Sequence, residues 1–308
     1  VRRIESANNR QVKRAEGLCG NAIMNFEITH KTTYTYSRPV FLDLHHLRIR
    51  PRSDGVQHVT YFDSKIDPRP SGSAVGLDID GNCVENVWFH GLTEKLTVES
   101  RAKVITQYRN PFNYILAERA DRLPVTYQDP IQPYLAPYTV RRNESHLIER
   151  FARDIANRTE WKTLRFVTML TREISEGFQQ APRGVGVPKS AEETYLSRVG
   201  SSRDLAVLFM DACRYVGIAA RFVNGYYDDS GAKDQITLHS WSEVYLPGAG
   251  WRGYDPSLGL AVTDRHVAIA AAGDPLMSAP VSGTFRGNAV SSELHAEIDI
   301  RVANADAA

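Results

Sequence analysis

The spacing of apolar residues changes near residue 140, and this change constrains the fold more than any other feature of the chain. Before it, apolar residues gather in short β-type runs at 26–36, 44–50, 58–66, 83–89 and 95–106. Leu96, Val98, Ala102 and Val104 lie largely on one face of the last run, as expected for a half-buried strand. Asp80, Gly81 and Asn82 separate the runs 77–79 and 84–88 and form a hairpin signal. Strands at this spacing predict an antiparallel β-sandwich over residues 24–110. A proline-dense stretch at 111–140 (Pro111, Pro124, Pro130, Pro133 and Pro137) suits neither a helix interior nor a central strand and is the expected linker. Beyond it Leu147, Ile148, Phe151, Ala152 and Ile155 recur at helical spacing, with Asn143 placed to cap the first turn. Leu164, Val167, Leu170 and Ile174 mark a second helix, ending near Gly177, and Ser190 with Glu193 has the form of a capping box. Helices followed by further strands make residues 141–303 a second, α+β domain, between an arginine-rich extension at 1–23 and a short tail at 304–308.

Composition narrows the function classes. A chain of 308 residues, 42% hydrophobic and 24% charged, is globular and long enough for two cores. With 37 basic against 36 acidic residues it has no global field to attract nucleic acid or an anionic membrane. No apolar run approaches the roughly 20 residues of a membrane span, and no secretory pattern opens the chain, so the expectation is a soluble, cytoplasmic protein. Cys19, Cys83 and Cys213 form no CxxC pair and have no histidine cluster at metal-ligand spacing, which argues against disulfides and structural zinc. His45 and His46 are adjacent on an expected strand and point to opposite faces.

One region concentrates chemistry. Gly200, Ser201, Ser202, Arg203 and Asp204 precede a helix-period face of Leu205, Leu208, Phe209, Ala212 and Cys213 that closes at Gly217. Ser202 thus stands at or just before a helix N-terminus, whose free N–H groups and partial positive charge stabilise a thiolate, an alkoxide or an oxyanion. Two readings stand on local sequence: a nucleophile position, or an ordinary serine N-cap. Downstream, His239, Trp241, Glu243 and Tyr245 share one face of an expected strand. The turn at 247–250 leads into the run bearing Asp255. Two antiparallel strands there would set His239 beside Asp255, while a structural histidine and a turn-forming aspartate remain the plain alternative.

The motifs carry a resemblance. G-S-S-R-D at 200–204, G-I-A-A-R at 217–221 and N-G-Y at 224–226 resemble the G-x-C-R-D, G-I-x-A-R and S-G-Y of the bacterial transglutaminase-like core. H-S-W-S-E-V-Y-L-P-G-A-G-W at 239–251 and Y-D-P-S at 254–257 follow the family's H-A-W-x-E-V-Y-L-P-G-x-G-W and F-D-P-T. I-T-H-K-T-T-Y-T-Y-S-R-P-V at 28–40 is similar to the family's N-terminal β-domain, and P-V-S-G-T-F-R-G at 280–287 to its closing segment, so the likeness spans 24–303.

The resemblance implies a papain-like α+β core for acyl transfer at peptide or protein amides: hydrolysis, deamidation, or transfer of a glutamine acyl group to an amine. It implies His239 as general base, Asp255 as its orienting partner and Ser202 in the nucleophile position, where the family has cysteine. Cys213 cannot substitute, being about three helical turns further on. A serine stores no ion pair and must lose its proton during attack, so activity is expected to be reduced or absent, and a peptide-binding pseudoenzyme is the alternative. Trp241 and Trp251 are candidate groove walls, against buried packing. Gln179 or Gln180 is a candidate second oxyanion donor. Arg203 and Asp204 are expected to anchor the helix start. Arg221 is expected to pair with an acid that the sequence does not name. No metal or organic cofactor is expected, and no EF-hand spacing supports a calcium requirement.

Overall fold

The computed structural model describes residues 23–304 apart from 108–109, 142–143, 182–183, 185 and 230–237; the expected extension falls almost wholly outside them. The N-terminal unit is antiparallel. It is built from β1 (Met24–Leu47), β2 (Gln57–Asp67), β3 (Gly72–Leu77), β4 (Cys83–Trp88) and β5 (Leu92–Thr106). In β5 Leu96, Val98, Ala102 and Val104 are buried on one face while Arg101 and Lys103 face water, the alternation expected of a half-covered sheet. The first two apolar runs form a single strand of 24 residues. Pro39 does not divide it, because pairing with β5 shifts register between Thr35 and Val40 and the missing N–H falls in the irregular stretch.

Among the described residues five α-helices follow. α1 (Ile131–Thr139) lies inside the expected linker, contrary to the expectation that its prolines exclude a helix. Pro133 occupies the first turn, where an N–H has no intrahelical partner, so only Pro137 removes a helical bond. α2 (His146–Arg158) is capped by Ser145, whose side chain accepts from Ile148 N; Asn143, the expected cap, lies outside the described residues. α3 (Thr163–Gly177) leads through β6 (Gln179–Gln180) to α4 (Ala191–Ser197), which opens with the Ser190/Glu193 capping box. β7 (Val199–Gly200) feeds α5 (Ser202–Tyr215). Every residue of α5 from Asp204 to Arg214 is buried, so this is the central helix of the core. It ends at Gly217, whose φ of +81° suits the left-handed turn after a helix.

A five-stranded antiparallel sheet packs on α5. It comprises β8 (Ala220–Tyr227), β9 (His239–Leu246), β10 (Gly250–Asp255), β11 (Leu260–Ala261) and β12 (His266–Ala272), in the order β11-β10-β9-β8-β12. Ile148 and Ile155 of α2, Phe166 and Leu170 of α3, Leu208 and Phe209 of α5 and Phe222 and Val244 of the sheet share one core. Cys213 is fully buried there, and burial pushes its thiol well up, as befits a packing residue.

The last strands, β13 (Val281–Arg286) and β14 (Ser292–Asn304), were expected with the second domain but pair with β1. β14 runs along β1 from Met24↔Asn304 to Tyr36↔Ser292, so the N-terminal sheet has seven strands and β1 is interior to it. A strand of this length with a free edge would leave a row of unpaired backbone groups, and the returning chain covers them.

The two units are joined at β12, the edge of the five-stranded sheet. Gln57 accepts from Ala268 N and donates to Ala268 O, both at 2.8 Å, and Asn82 does the same for Ala271, also at 2.8 Å. Two side-chain amides thus stand in for a missing neighbour strand. Among the described residues no helix is long and apolar enough to cross a membrane.

Candidate active site

Ser202 is the first residue of α5, and the cap position belongs to Ser201. Asp204 accepts from Ser201 N at 2.9 Å, from Ser201 Oγ at 2.8 Å and from Lys189 N at 2.8 Å, which fixes the helix start. Arg203 donates to Gly186 O at 2.7 Å. The anchoring expected of Arg203 and Asp204 is therefore present. Because Ser201 caps the helix, the partly exposed Ser202 hydroxyl is left over, and among the described residues it has no hydrogen-bond partner.

The direction of α5 follows from its contacts with the sheet. Its C-terminal end passes into Ala219, whose carbonyl accepts from Tyr245 N at 2.9 Å, and Ser242 Oγ donates to Ala206 O at 2.8 Å. The N-terminus of α5 therefore runs toward the His239 end of β9. Ser242 and Val244 point at the helix, so His239 and Trp241 project from the other face of the sheet. No hydrogen bond joins Ser202 to His239 among the described residues.

His239 and Asp255 do meet. His239 Nε2 donates to Asp255 Oδ2 at 2.6 Å, across the β9–β10 pairing that sets Tyr254 opposite Ser242. The His239 side chain is 12% exposed, while Asp255 is completely buried. The other carboxylate oxygen, Oδ1, accepts from Ser257 Oγ at 2.7 Å, Ser257 N at 3.0 Å and Leu258 N at 3.2 Å. Burial alone would push this carboxyl up, but the His239 imidazole and the hydrogen bonds hold it well below the usual carboxylate range. Asp255 is thus an ionised acceptor, its bond to His239 requires a hydrogen on Nε2, and His239 Nδ1 has no hydrogen-bond partner among the described residues.

A residue that the sequence reading passed over completes the cluster. His266, at the start of β12, is fully buried and lies 3.2 Å from Asp255 Oδ2 through Nε2. Its Nδ1 accepts from Thr263 N at 3.3 Å, so its hydrogen is on Nε2, and burial pushes its protonation down. The ligating atoms of His239, Asp255 and His266 lie within 4.8 Å of one another, a spacing a metal ion would accept. The donor set does not fit one: a metal on His266 Nε2 would drive its hydrogen to Nδ1, against the Thr263 N–H. The available signal was a histidine opening an otherwise apolar run shortly after Asp255.

The other candidates divide. Trp241 is 1% exposed and packs with Val223, Val262, Ala268 and Ala271, so it is not a groove wall. That face of the sheet is covered, and the ring underlies His266 edge-on at 5.2 Å. Trp251 stacks under Arg221 at 4.2 Å and meets Tyr138 and Tyr245. Arg221 has its acid in Glu243, at 2.6 Å. Gln179 and Gln180 are exposed and pair in parallel with Val199 and Gly200, beside the backbone that leads into Ser202.

Comparison with known proteins bears on the family and the fold. Residues 26–105 match the bacterial transglutaminase-like N-terminal region and residues 149–256 the transglutaminase-like superfamily. An uncharacterized protein of Mycobacterium tuberculosis is 25% identical over 309 aligned positions, covering 89% of this chain and 92% of the relative. One from Mycobacterium leprae is 23% identical, covering 84% and 92%. A solved structure from Cytophaga hutchinsonii, described as a candidate cysteine protease, superposes with a TM-score of 0.70 at 22% identity over 94% of this chain and 93% of that one, which speaks for the shared fold. In one chain, in order, the protein thus combines a region matching the bacterial transglutaminase-like N-terminal region with a core matching the transglutaminase-like superfamily.

Proposed function

We propose that this chain carries an acyl-transfer centre for peptide or protein amides, with Ser202 in the nucleophile position, His239 as general base and Asp255 as its orienting partner. The observation that carries the proposal is the 2.6 Å bond from His239 Nε2 to the buried, ionised Asp255, which leaves Nδ1 as the basic nitrogen. The reaction requires the α5 N-terminus, which lies toward the His239 end of β9, to bring Oγ round to the imidazole; Nδ1 then takes the proton of the attacking Oγ as the Oγ–carbonyl bond forms. The same proton then goes to the leaving amine as the C–N bond breaks. Water or a second amine resolves the acyl-enzyme by the reverse transfers. The partial positive charge at the N-terminus of α5 stabilises the developing oxyanion. Ser202 lowers turnover, because a hydroxyl does not pre-ionise beside imidazolium as a thiol does.

A second reading, a pseudoenzyme that binds peptide without turnover, is favoured by a Ser202 hydroxyl with no hydrogen-bond partner among the described residues. Amide hydrolysis and amine transfer by the native chain, Ser202→Cys and Ser202→Ala separate the two. Activity in the cysteine form alone means a competent scaffold silenced at one atom; serine above alanine means a working hydroxyl. An inert cysteine form on a broad set of glutamine-containing peptides would count against the enzyme reading.

A further inference from the structure

His266 lies outside the three side chains of the proposed centre, yet it shares an oxygen with it. Its Nε2–H and that of His239 both point at Asp255 Oδ2, at 3.2 and 2.6 Å. Oδ1 accepts from Ser257 and Leu258, so Oδ2 is left to the two imidazoles. His266 is fixed in turn. Thr263 N–H on Nδ1 sets its tautomer, and complete burial keeps it neutral and away from water. Tyr227 packs against the ring at 4.8 Å and Trp241 meets it edge-on at 5.2 Å. Trp241 fits there because position 225 is glycine: a Cβ would fall 2.3 Å from Val267 O and 2.5 Å from Trp241 Cη2.

We propose that His266 is a positioning residue for the centre: by donating Nε2–H to Asp255 Oδ2 it clamps the carboxylate, and so holds His239 with its hydrogen on Nε2 and its lone pair on Nδ1. The geometric claim stands on the observed bonds; its catalytic consequence rests on the Ser202–His239–Asp255 reading. A histidine that merely filled core space would not set the tautomer of a second imidazole.

The test is imidazole ¹H–¹⁵N NMR on the full chain. In the native protein both His239 and His266 are expected to carry hydrogen on Nε2. A His266 found with its hydrogen on Nδ1 overturns the proposal without any substitution. His266→Phe is expected to leave His239 exchanging between tautomers, and His266→Gln, whose amide still donates, to restore the Nε2–H form. A folded His266→Phe variant with His239 wholly in the Nε2–H form overturns the proposal, as does equal mixing in both variants. In the Ser202→Cys background His266→Phe should lower kcat about tenfold, the kinetic equivalent of one hydrogen bond, with KM little changed and glutamine restoring it. If Ser202→Cys is inert, the functional reading fails on that arm, while the tautomers still decide the role of His266.

Discussion

Replacing Asp255 by asparagine keeps the shape of the side chain and inverts one of its two acceptors. Five donors converge on the carboxylate: two backbone N–H groups and a hydroxyl on Oδ1, and two imidazoles on Oδ2. The N–H groups of Ser257 and Leu258 cannot move, so the amide oxygen takes the Oδ1 place and the NH₂ takes that of Oδ2. There it faces two ring N–H groups. His239 can shift its hydrogen to Nδ1 and accept, whereas His266 cannot without opposing Thr263 N–H. The cost is the charge that strengthened each bond plus one unresolved donor–donor contact, about 3 kcal/mol in all. In a chain of 308 residues that lowers Tm by about 5 °C. The functional effect is larger, because His239 loses the carboxylate that stabilises its cation and, in the serine form, also holds a hydrogen on the nitrogen that must accept one. Turnover of Ser202→Cys should fall by about 10³ to 10⁴ on adding Asp255→Asn, with substrate binding retained. Calorimetry, imidazole NMR and kinetics on the paired variants read all three effects. A Tm within a degree of the native value, together with His239 still protonated on Nε2, would refute the reasoning.

Acid should loosen the protein before its carboxylates titrate. Burial pushes His30 down to about 4, where its ring bonds Tyr226 Oη and Thr32 Oγ1, so between pH 6.5 and 4 the unfolded chain binds a proton that the folded one refuses. The associated stability is complete above pH 6.5 and lost as pH falls, about 3 kcal/mol by pH 4 and about 2 by pH 5. His45 and His266 are shifted down by burial in the same sense. Urea midpoints at pH 7 and 5 should differ accordingly, and His30→Phe should shrink that difference; an unchanged difference in the variant would assign the effect elsewhere. Asn82→Ala removes both partners of Ala271 on the edge of β12 and should cost about 3 kcal/mol. Exchange of the Ala271 amide should then rise about a hundredfold, and unaltered protection there would mean that another group pairs with it.

What could be read in advance was what local pattern encodes. The alternation of Leu96, Val98, Ala102 and Val104 marked β5, helical spacing marked α2 and α3, and Ser190 with Glu193 marked the start of α4. Missed were features decided by partners distant in the chain. That β1 continues past Pro39 depends on its pairing with β5, as at Val40↔Thr93, and its cover by β14 on pairings between residues more than 250 positions apart, such as Tyr36↔Ser292. The same limit hid His266. Its place at Asp255 exists because β12 pairs with β8, setting His266 opposite Tyr227, and nothing near residue 266 announces that pairing. Trp241 failed as a groove wall for a related reason: its strand face was legible, but its cover by Val262, Ala268 and Ala271 was not.

On the proposed reading, the serine stands in surroundings suited to an ion. Asp255 is held ionised beneath His239, and the N-terminal end of α5 carries partial positive charge. Both favour a resting imidazolium–thiolate pair, since one balances the cation and the other the anion. A hydroxyl gains little from either at rest, for its proton is too tightly held, and the same fields act only once the Oγ–H bond is breaking. The deficit of the serine form therefore falls on kcat rather than on peptide affinity. Ser202→Cys should show it directly by restoring turnover while KM stays within a few-fold.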